Sequence, residues 1–186
     1  MKFTPLNIAG AYLIDLELRG DERGFFGRLY CNNEIRAEGL DFQISQVNTS
    51  ASRQRGTLRG LHFQCPPKSE IKMVKCIKGI IWDVIVDLRP TSATFRKWCG
   101  VELSQNNRSM MYAPKGTAHG FVSLCDEVEI VYFVSTPYSP EHEGIIRWDD
   151  PFFAIEWPTR PTVLSEKDRG ASDWSTAHSN IFASEN

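Results

Sequence analysis

The sequence predicts an all-β protein, a sandwich or closed barrel of short strands. Short runs rich in Val, Ile, Phe or Tyr recur along most of the chain, and Gly, Pro, Asn or Asp bounds each of them. Their spacing is regular, and only two brief stretches read as helix. Many short strands at such spacing make a sandwich or barrel, not an α/β sheet.

Taken in order, Ala11 to Leu18 and Phe25 to Cys31 read as strands joined by a polar, turn-rich loop over 19–24. Asn32 to Glu38 reads as a short helix, capped by Asn32 or Asn33 and closed by Gly39. Strands follow at Phe42 to Asn48, Thr57 to Gln64, Ile71 to Ile77, Ile80 to Leu88 and Trp98 to Leu103. Ser109 to Tyr112, Phe121 to Leu124 and Val128 to Ser135 complete the set. A short helix is expected to open at Ser165, and the polar tail over 172–186 is expected to be loosely held.

The 186 residues suit a single domain able to bury a core. A formal charge of -2 gives no electrostatic reason to expect nucleic acid or an anionic membrane. The apolar stretch from Ile8 to Leu13 is too short for a signal peptide or a membrane span. Five scattered cysteines without C-x-x-C spacing argue against a disulfide framework or structural zinc, and for a reduced cytosol.

Polar residues inside apolar strands mark the candidate site. Alternation along Thr57 to Gln64 sets Leu58, Gly60, His62 and Gln64 on one face and Arg59, Leu61 and Phe63 on the other. His62 and Gln64 then line a pocket wall, or His62 is simply a hydrogen-bonded strand histidine. Arg59 falls on the opposite face unless Gly60 marks a bulge that re-aims it. Ile80 to Leu88 is apolar on both sides, so it is expected to be central, and its Asp83 and Asp87 need partners. Asp83 is expected to face a polar cavity, and Asp87 to pair with Arg89 or a turn. Lys72 either snorkels at a sheet edge or aims its charge into the Asp83 cavity. Tyr132 shares a face with Val128, Ile130 and Val134, as a tethered core tyrosine or as an acid.

Pro114 to Phe121 carries the P-x-G-x-x-H spacing of the second cupin motif, ending at His119. A metal-binding cupin supplies H-x-H and a Glu from its first motif. Here that segment is His62-Phe63-Gln64, and two histidines with a distant Glu70 make a poor divalent-metal site.

The ordered set of motifs resembles the dTDP-4-dehydrorhamnose 3,5-epimerase family over about Phe3 to Arg169. The matching pieces are D-x-R-G-F-F from Asp21, Gln46 and Asn48, G-x-L-R-G-L-H-F-Q from Gly56, and Lys72. D-V-x-V-D-L-R from Asp83, P-x-G-x-x-H-G-F from Pro114, Tyr132, Tyr138 to Glu141 with Glu143, and Ser165 to Arg169 complete them. The resemblance implies a cupin-type jelly roll, a homodimer formed partly by exchanging N-terminal strands, and no metal or organic cofactor. It implies an enzyme that epimerises C3 and/or C5 of a nucleotide-diphosphate 4-keto-6-deoxy sugar, which the cysteine pattern sets in the cytoplasm.

By the same resemblance His62 is the base, Asp168 orients it, Lys72 stabilises the enolate with Asp83 holding the lysine, and Tyr132 is the acid. His119 would lie near the sugar, Arg23, Arg59 and Arg169 would hold the diphosphate, and Tyr138 would stack on the base. Phe26, Gln46, Asn48 and Glu143 are further substrate-binding candidates. A metal-dependent cupin and a non-catalytic sugar-nucleotide binder are the competing classes.

Two positions depart from the family pattern. Phe133 stands where a more polar residue is expected, which would reshape the pocket. Arg28 replaces a Glu that grips the base. A guanidinium only donates hydrogen bonds, so it would favour the acceptor edge of guanine or cytosine over thymine, giving a GDP- or CDP-linked substrate. Otherwise Arg28 points to solvent or pairs with an acidic neighbour.

Overall fold

The computed structural model describes residues 1–174 and 181–182. The described strands are β1 (Lys2–Pro5), β2 (Tyr12–Asp15), β3 (Arg19–Asp21), β4 (Gly24–Phe26), β5 (Gln46–Ser52), β6 (Leu58–Gln64) and β7 (Lys72–Lys78). They continue with β8 (Ile80–Asp87), β9 (Trp98–Ser104), β10 (Met110–Ala113), β11 (Thr117–Ser123), β12 (Val128–Val134) and β13 (Glu143–Ile145). Two short α-helices, α1 (Asn32–Ala37) and α2 (Glu166–Arg169), and a 3-10 turn at Pro140–His142 complete the described elements.

Two antiparallel sheets face each other in a jelly-roll sandwich. One runs β1-β2-β10-β7-β12-β5 and the other β13-β6-β11-β8-β9. The all-β fold expected from the strand pattern is what forms. β8 is central, flanked by β11 and β9, and its alternation sorts its side chains as a strand buried on both faces must. Ile81 and Ile85 enter the cluster between the sheets, with Val74, Phe121 and Ile130. Val84 and Val86 point to the outer face, where Leu61, Phe63, Ile146, Phe153, Trp174 and Phe182 cover them. The outer face of the other sheet packs Met73, Tyr112 and Phe133 under Ile35 of α1 and Phe42.

Several local expectations need correction. The loop over 19–24 is itself a hairpin, β3 paired with β4 from Arg19↔Phe26 to Asp21↔Gly24. The segment after Phe42 becomes a strand only at Gln46, where pairing with β12 begins. Phe42 is instead a core plug, 1% exposed, set edge-on to Tyr30 and Tyr112. α1 is capped by Cys31 without a side-chain hydrogen bond, not by Asn32 or Asn33. Phe133 lies on the outer face, 8% exposed, so it does not shape the space between the sheets.

The C-terminal segment has anchors in its described part. The Trp174 backbone N–H donates to Asp150 Oδ2. Phe182 is fully buried, its ring centroid 5.7 Å from that of Phe63. The rest of the expected loose tail, 175–180 and 183–186, lies outside the described residues.

Deleting a buried aromatic ring costs about 3–5 kcal/mol through lost transfer energy and the cavity left behind. Phe182→Ala should therefore lower the urea-unfolding free energy by that order. Val47→Ala, at a position 54% exposed, should change it by less than ~0.5 kcal/mol. Equal midpoints for the two variants would mean that the segment around Phe182 is not part of the cooperative fold.

Candidate active site

The site begins with a backbone irregularity in β6. His119 pairs with His62 and Phe121 with Arg59, so β6 carries one residue more than β11 between the same two rungs. That is the bulge anticipated at Gly60, and it brings Arg59 to the face that carries His62. The strands approach closely there. A Cβ on Gly60, at φ +118, would lie 2.6 Å from the Gly120 Cα and 2.7 Å from the His119 oxygen. Only glycine fits both the conformation and the space.

The inward faces of the two sheets enclose adjoining cavities of about 370 and 250 Å³. His62, Lys72 and Tyr132 line both. The larger adds Gln46, Asn48, Tyr138 and Glu143, and the smaller adds Arg59, His119 and Asp168. His62, Arg59 and His119 come from the five-stranded sheet, and Lys72 and Tyr132 from the facing one. Groups on opposite walls of one cavity can address opposite faces of a flat reactant.

His62 Nε2 lies 2.6 Å from Asp168 Oδ1, bringing together residues 106 positions apart. α2 builds the carboxylate's setting. Ser165 caps the helix by accepting from the Asp168 N–H at 3.0 Å, and its hydroxyl donates to Asp168 Oδ2 at 2.9 Å. Burial pushes the Asp168 carboxyl up, but the hydrogen bond and charge of His62, with Ser165 and the Gly60 amide, outweigh it. The net pKa lies below the usual carboxylate value, so the group stays ionised beside the imidazole.

Lys72 and Asp83 do not meet as expected. Lys72 Nζ sits 3.0 Å from Glu70 Oε1 and donates to the His62 carbonyl at 3.3 Å. Asp83, fully buried, instead receives His119 Nε2 at 2.7 Å through Oδ1, and its Oδ2 has no hydrogen-bond partner. Glu70 was the missed residue. It stands two positions before Lys72, so strand alternation already put both on one face. Asp87 does pair with Arg89, at 2.8 Å, and also accepts from Ser92 and Thr94.

Tyr132 is partly buried on the wall formed by β12, next to Asn48 of β5 and Val74 of β7. Burial, then the charge of Glu70, raises its pKa, with Arg59 opposing. The phenol is therefore protonated at neutral pH. Gln64, at the second-histidine position of the cupin pattern, is a loop clamp. Its Oε1 accepts from the Ser139 N–H at 2.6 Å, and its Nε2 donates to the Lys68 carbonyl at 2.9 Å. Gln46 Oε1 accepts from the Tyr138 N–H at 2.6 Å, so two amides hold the Tyr138 segment at the cavity mouth. There the Tyr138 hydroxyl and Lys167 Nζ both donate to Glu143 Oε2. Lys167 also faces the smaller cavity, and sequence reasoning had placed it in a motif without giving it a role.

Not every candidate joins this group. Arg23 pairs with Asp21 on the exposed β3–β4 hairpin, and Phe26 on the same hairpin is 65% exposed. Arg28 Nη1 donates to Glu34 at 2.7 Å, the pairing with an acidic neighbour and not a free fork for a base. Arg169 is exposed near Glu166. None of the four lines either cavity. Among the described residues no cluster of three or more His, Cys, Asp or Glu is gathered to hold a metal ion. The two inward histidines give their Nε2 atoms to separate carboxylates.

Comparison with known proteins agrees with this architecture. The profile described as dTDP-4-dehydrorhamnose 3,5-epimerase matches residues 5–176. A dTDP-4-dehydrorhamnose 3,5-epimerase of Sinorhizobium fredii is 44% identical over 169 residues, 90% of this chain and 87% of that one. A crystal structure of the Bacillus anthracis dTDP-4-dehydrorhamnose 3,5-epimerase, with TDP and pyrophosphate bound, superimposes with a TM-score of 0.90 at 40% identity. It covers 93% of this chain and 99% of that one. A 3'-monoepimerase from Streptomyces bikiniensis in complex with dTDP-quinovose gives a TM-score of 0.86 at 32% identity, covering 96% and 91%.

The His62–Asp168 pair makes stability depend on acid. The folded Asp168 carboxyl titrates below its unfolded value of about 3.9. Its contribution is therefore fully present above that value and is lost as pH falls through the lower folded pKa. Asp168→Asn should cost about 1–3 kcal/mol at neutral pH. Urea midpoints should show the gap to wild type closing as pH drops below ~4. A gap that stays constant through that range would mean that His62 does not hold the carboxylate ionised.

Proposed function

The chain belongs to the dTDP-4-dehydrorhamnose 3,5-epimerase family, and from that premise we propose how its residues carry the reaction. It is an isomerase that epimerises a nucleotide-diphosphate 4-keto-6-deoxy sugar in deoxysugar biosynthesis. Our reading is a dTDP-linked substrate inverted at both C3 and C5. The observation that carries it is the 2.6 Å His62–Asp168 pair on one wall of a cavity whose facing wall holds Lys72 and Tyr132.

C3 and C5 flank the C4 carbonyl, so their C–H bonds are acidic and each can be broken through an enolate. With Nε2 held by Asp168, the His62 Nδ1 lone pair takes the proton, and the ionised carboxylate stabilises the imidazolium that forms. Negative charge moves to O4, where the Lys72 ammonium meets it. Tyr132, protonated and on the opposite wall, returns a proton to the other face of the enolate, which inverts the centre. Rotation of the sugar in the cavity presents the second carbon to the same pair of groups. A non-catalytic binder would have no use for an oriented base and a protonated phenol facing each other.

Arg59, held by the Ser52 hydroxyl and the Ala51 carbonyl, and His119 are assigned to the diphosphate and sugar end. Tyr138, with Gln46 and Asn48, is assigned to the nucleoside. Arg23, Phe26 and Arg28 lie outside both cavities of a single chain, on and just after a hairpin exposing Phe25 and Phe26. We assign them to the site of a second copy, which makes the working unit a homodimer with exchanged N-terminal strands. Arg169, exposed and outside both cavities, is assigned to the outer diphosphate. The pairing of Arg28 with Glu34 removes the reason to expect a base other than thymine. Among the described residues no helix is long and apolar enough to cross a membrane, and five cysteines without a disulfide among them support a cytoplasmic setting.

NMR in heavy water with a dTDP-linked 4-keto-6-deoxy sugar tests this directly. Wild type should exchange and invert both C3 and C5. His62→Ala should lose ~10²–10⁴-fold in rate while still binding dTDP. Tyr132→Phe should still wash deuterium into the substrate without completing inversion. A wild-type enzyme that binds the nucleotide sugar but exchanges neither position would overturn the epimerase mechanism.

A further inference from the structure

We propose that Glu70 is a positioning residue for the epimerisation, holding the Lys72 ammonium aimed at the enolate oxygen beside Tyr132. The proposal deepens the reading above and rests on Lys72 and Tyr132 acting on the sugar.

The segment leading into β7 is fixed on both sides of Glu70. The Thr136 hydroxyl donates to the Ser69 carbonyl at 3.0 Å, and the Ile71 N–H donates to the Ser135 hydroxyl at 2.8 Å. Glu70 therefore projects from a pinned backbone into the larger cavity, where its side chain is 11% exposed and that of Lys72 12%. A carboxylate so placed is costly unless paired, and its 3.0 Å partner is the lysine ammonium.

An ammonium has three donors. One is directed to Glu70 and a second to the His62 carbonyl, leaving the third for a cavity oxygen. The two fixed contacts therefore set the direction of the third. The His62 carbonyl also ties the lysine to the residue that removes the proton, so base and enolate stabiliser share one reference point. A neutral residue at position 70 would leave Lys72 free to swing toward solvent.

Tyr132 is within the same field. The ionisable groups around it are Glu70 and Lys72 from the β7 side, Arg59 and His62 from β6, and His119 from β11. Lys167 and Asp168 of α2, Tyr138 and Glu143 stand at the rim. Among these charges Glu70 is the one that raises the phenol's pKa after burial itself, and Arg59 works against it. Removing the Glu70 charge therefore moves Tyr132 toward deprotonation at lower pH.

Glu70→Gln keeps the shape and one acceptor oxygen, so folding and nucleotide affinity serve as controls. Its kcat should fall about 10- to 100-fold, the scale for misplacing a catalytic group, with KM little changed and the alkaline limb of the pH–rate profile moved to lower pH. Tyrosinate absorbance, read as the difference between each protein and its Tyr132→Phe partner, should show the Tyr132 titration shifted the same way without reference to turnover. Wild-type kcat and an unmoved Tyr132 titration in Glu70→Gln would overturn the role. So would a loss of kcat accompanied by an equal loss of dTDP binding. If Lys72→Ala and Tyr132→Phe themselves turned over normally, the catalytic reading would fail first. Inactive Lys72 and Tyr132 variants beside a normal Glu70→Gln would sink the Glu70 role alone.

Discussion

The close approach of Gly60 to Gly120 is the constraint from which the rest of the site follows. Side chains at both positions would collide with backbone, and Gly60 adopts a conformation that other residues avoid. The extra residue this contact admits into β6 lets Arg59 and His62 face the cavity together. Leu61 and Phe63 meanwhile stay in the outer cluster. That cluster is where Trp174 and Phe182 dock, while backbone hydrogen bonds from the Thr162 N–H to Gly56 and from the Leu58 N–H to Val163 lead the chain into α2, and with it Asp168, beside β6. One backbone irregularity thus aims the base and lets the segment bearing its partner pack behind it.

Charge between the sheets follows a second rule. Asp83 with His119, Asp168 with His62 and Glu70 with Lys72 are carboxylate–cation or carboxylate–imidazole contacts of 2.6–3.0 Å in a largely apolar sandwich. Ion pairs so enclosed are weak contributors to stability, because desolvation offsets most of the attraction. Their value here is directional. Each carboxylate fixes where a nitrogen points, and the nitrogens converge on one space. The unpartnered Oδ2 of Asp83 shows that this arrangement is not optimised for satisfying every buried atom.

The jelly-roll strands were legible from the sequence because alternation and turn residues are local. β8 was read as central from apolar residues on both faces, and it is. The errors were at places where a segment's fate depends on what it packs against. Phe42 carries β-forming neighbours but plugs the outer cluster under α1. Phe133 sits one residue from Tyr132, so it points to the opposite face and away from the pocket. The hairpin over 19–26 was hidden by polar residues, because all six strand residues are exposed and no buried apolar face marks it.

For the site, strand alternation and the P-x-G-x-x-H spacing drew out His62, Lys72, Tyr132 and His119, and the family resemblance added Asp168. The pairing of those residues was a different matter. Whether Asp83 serves Lys72 or His119 depends on strand register across two sheets. The answer came out as His119, because β11 lies beside β8 and pairs Phe121 with Asp83, while Lys72 lies on the opposite sheet. Glu70 had only a neighbouring position in its favour until the cavity showed it against the ammonium. Sequence by itself determined the strand pattern, the acid, base and cation residue types of the site, and the family. Only tertiary structure decided which carboxylate meets which nitrogen, because that contact is set by how two sheets and a short C-terminal helix come to face one another.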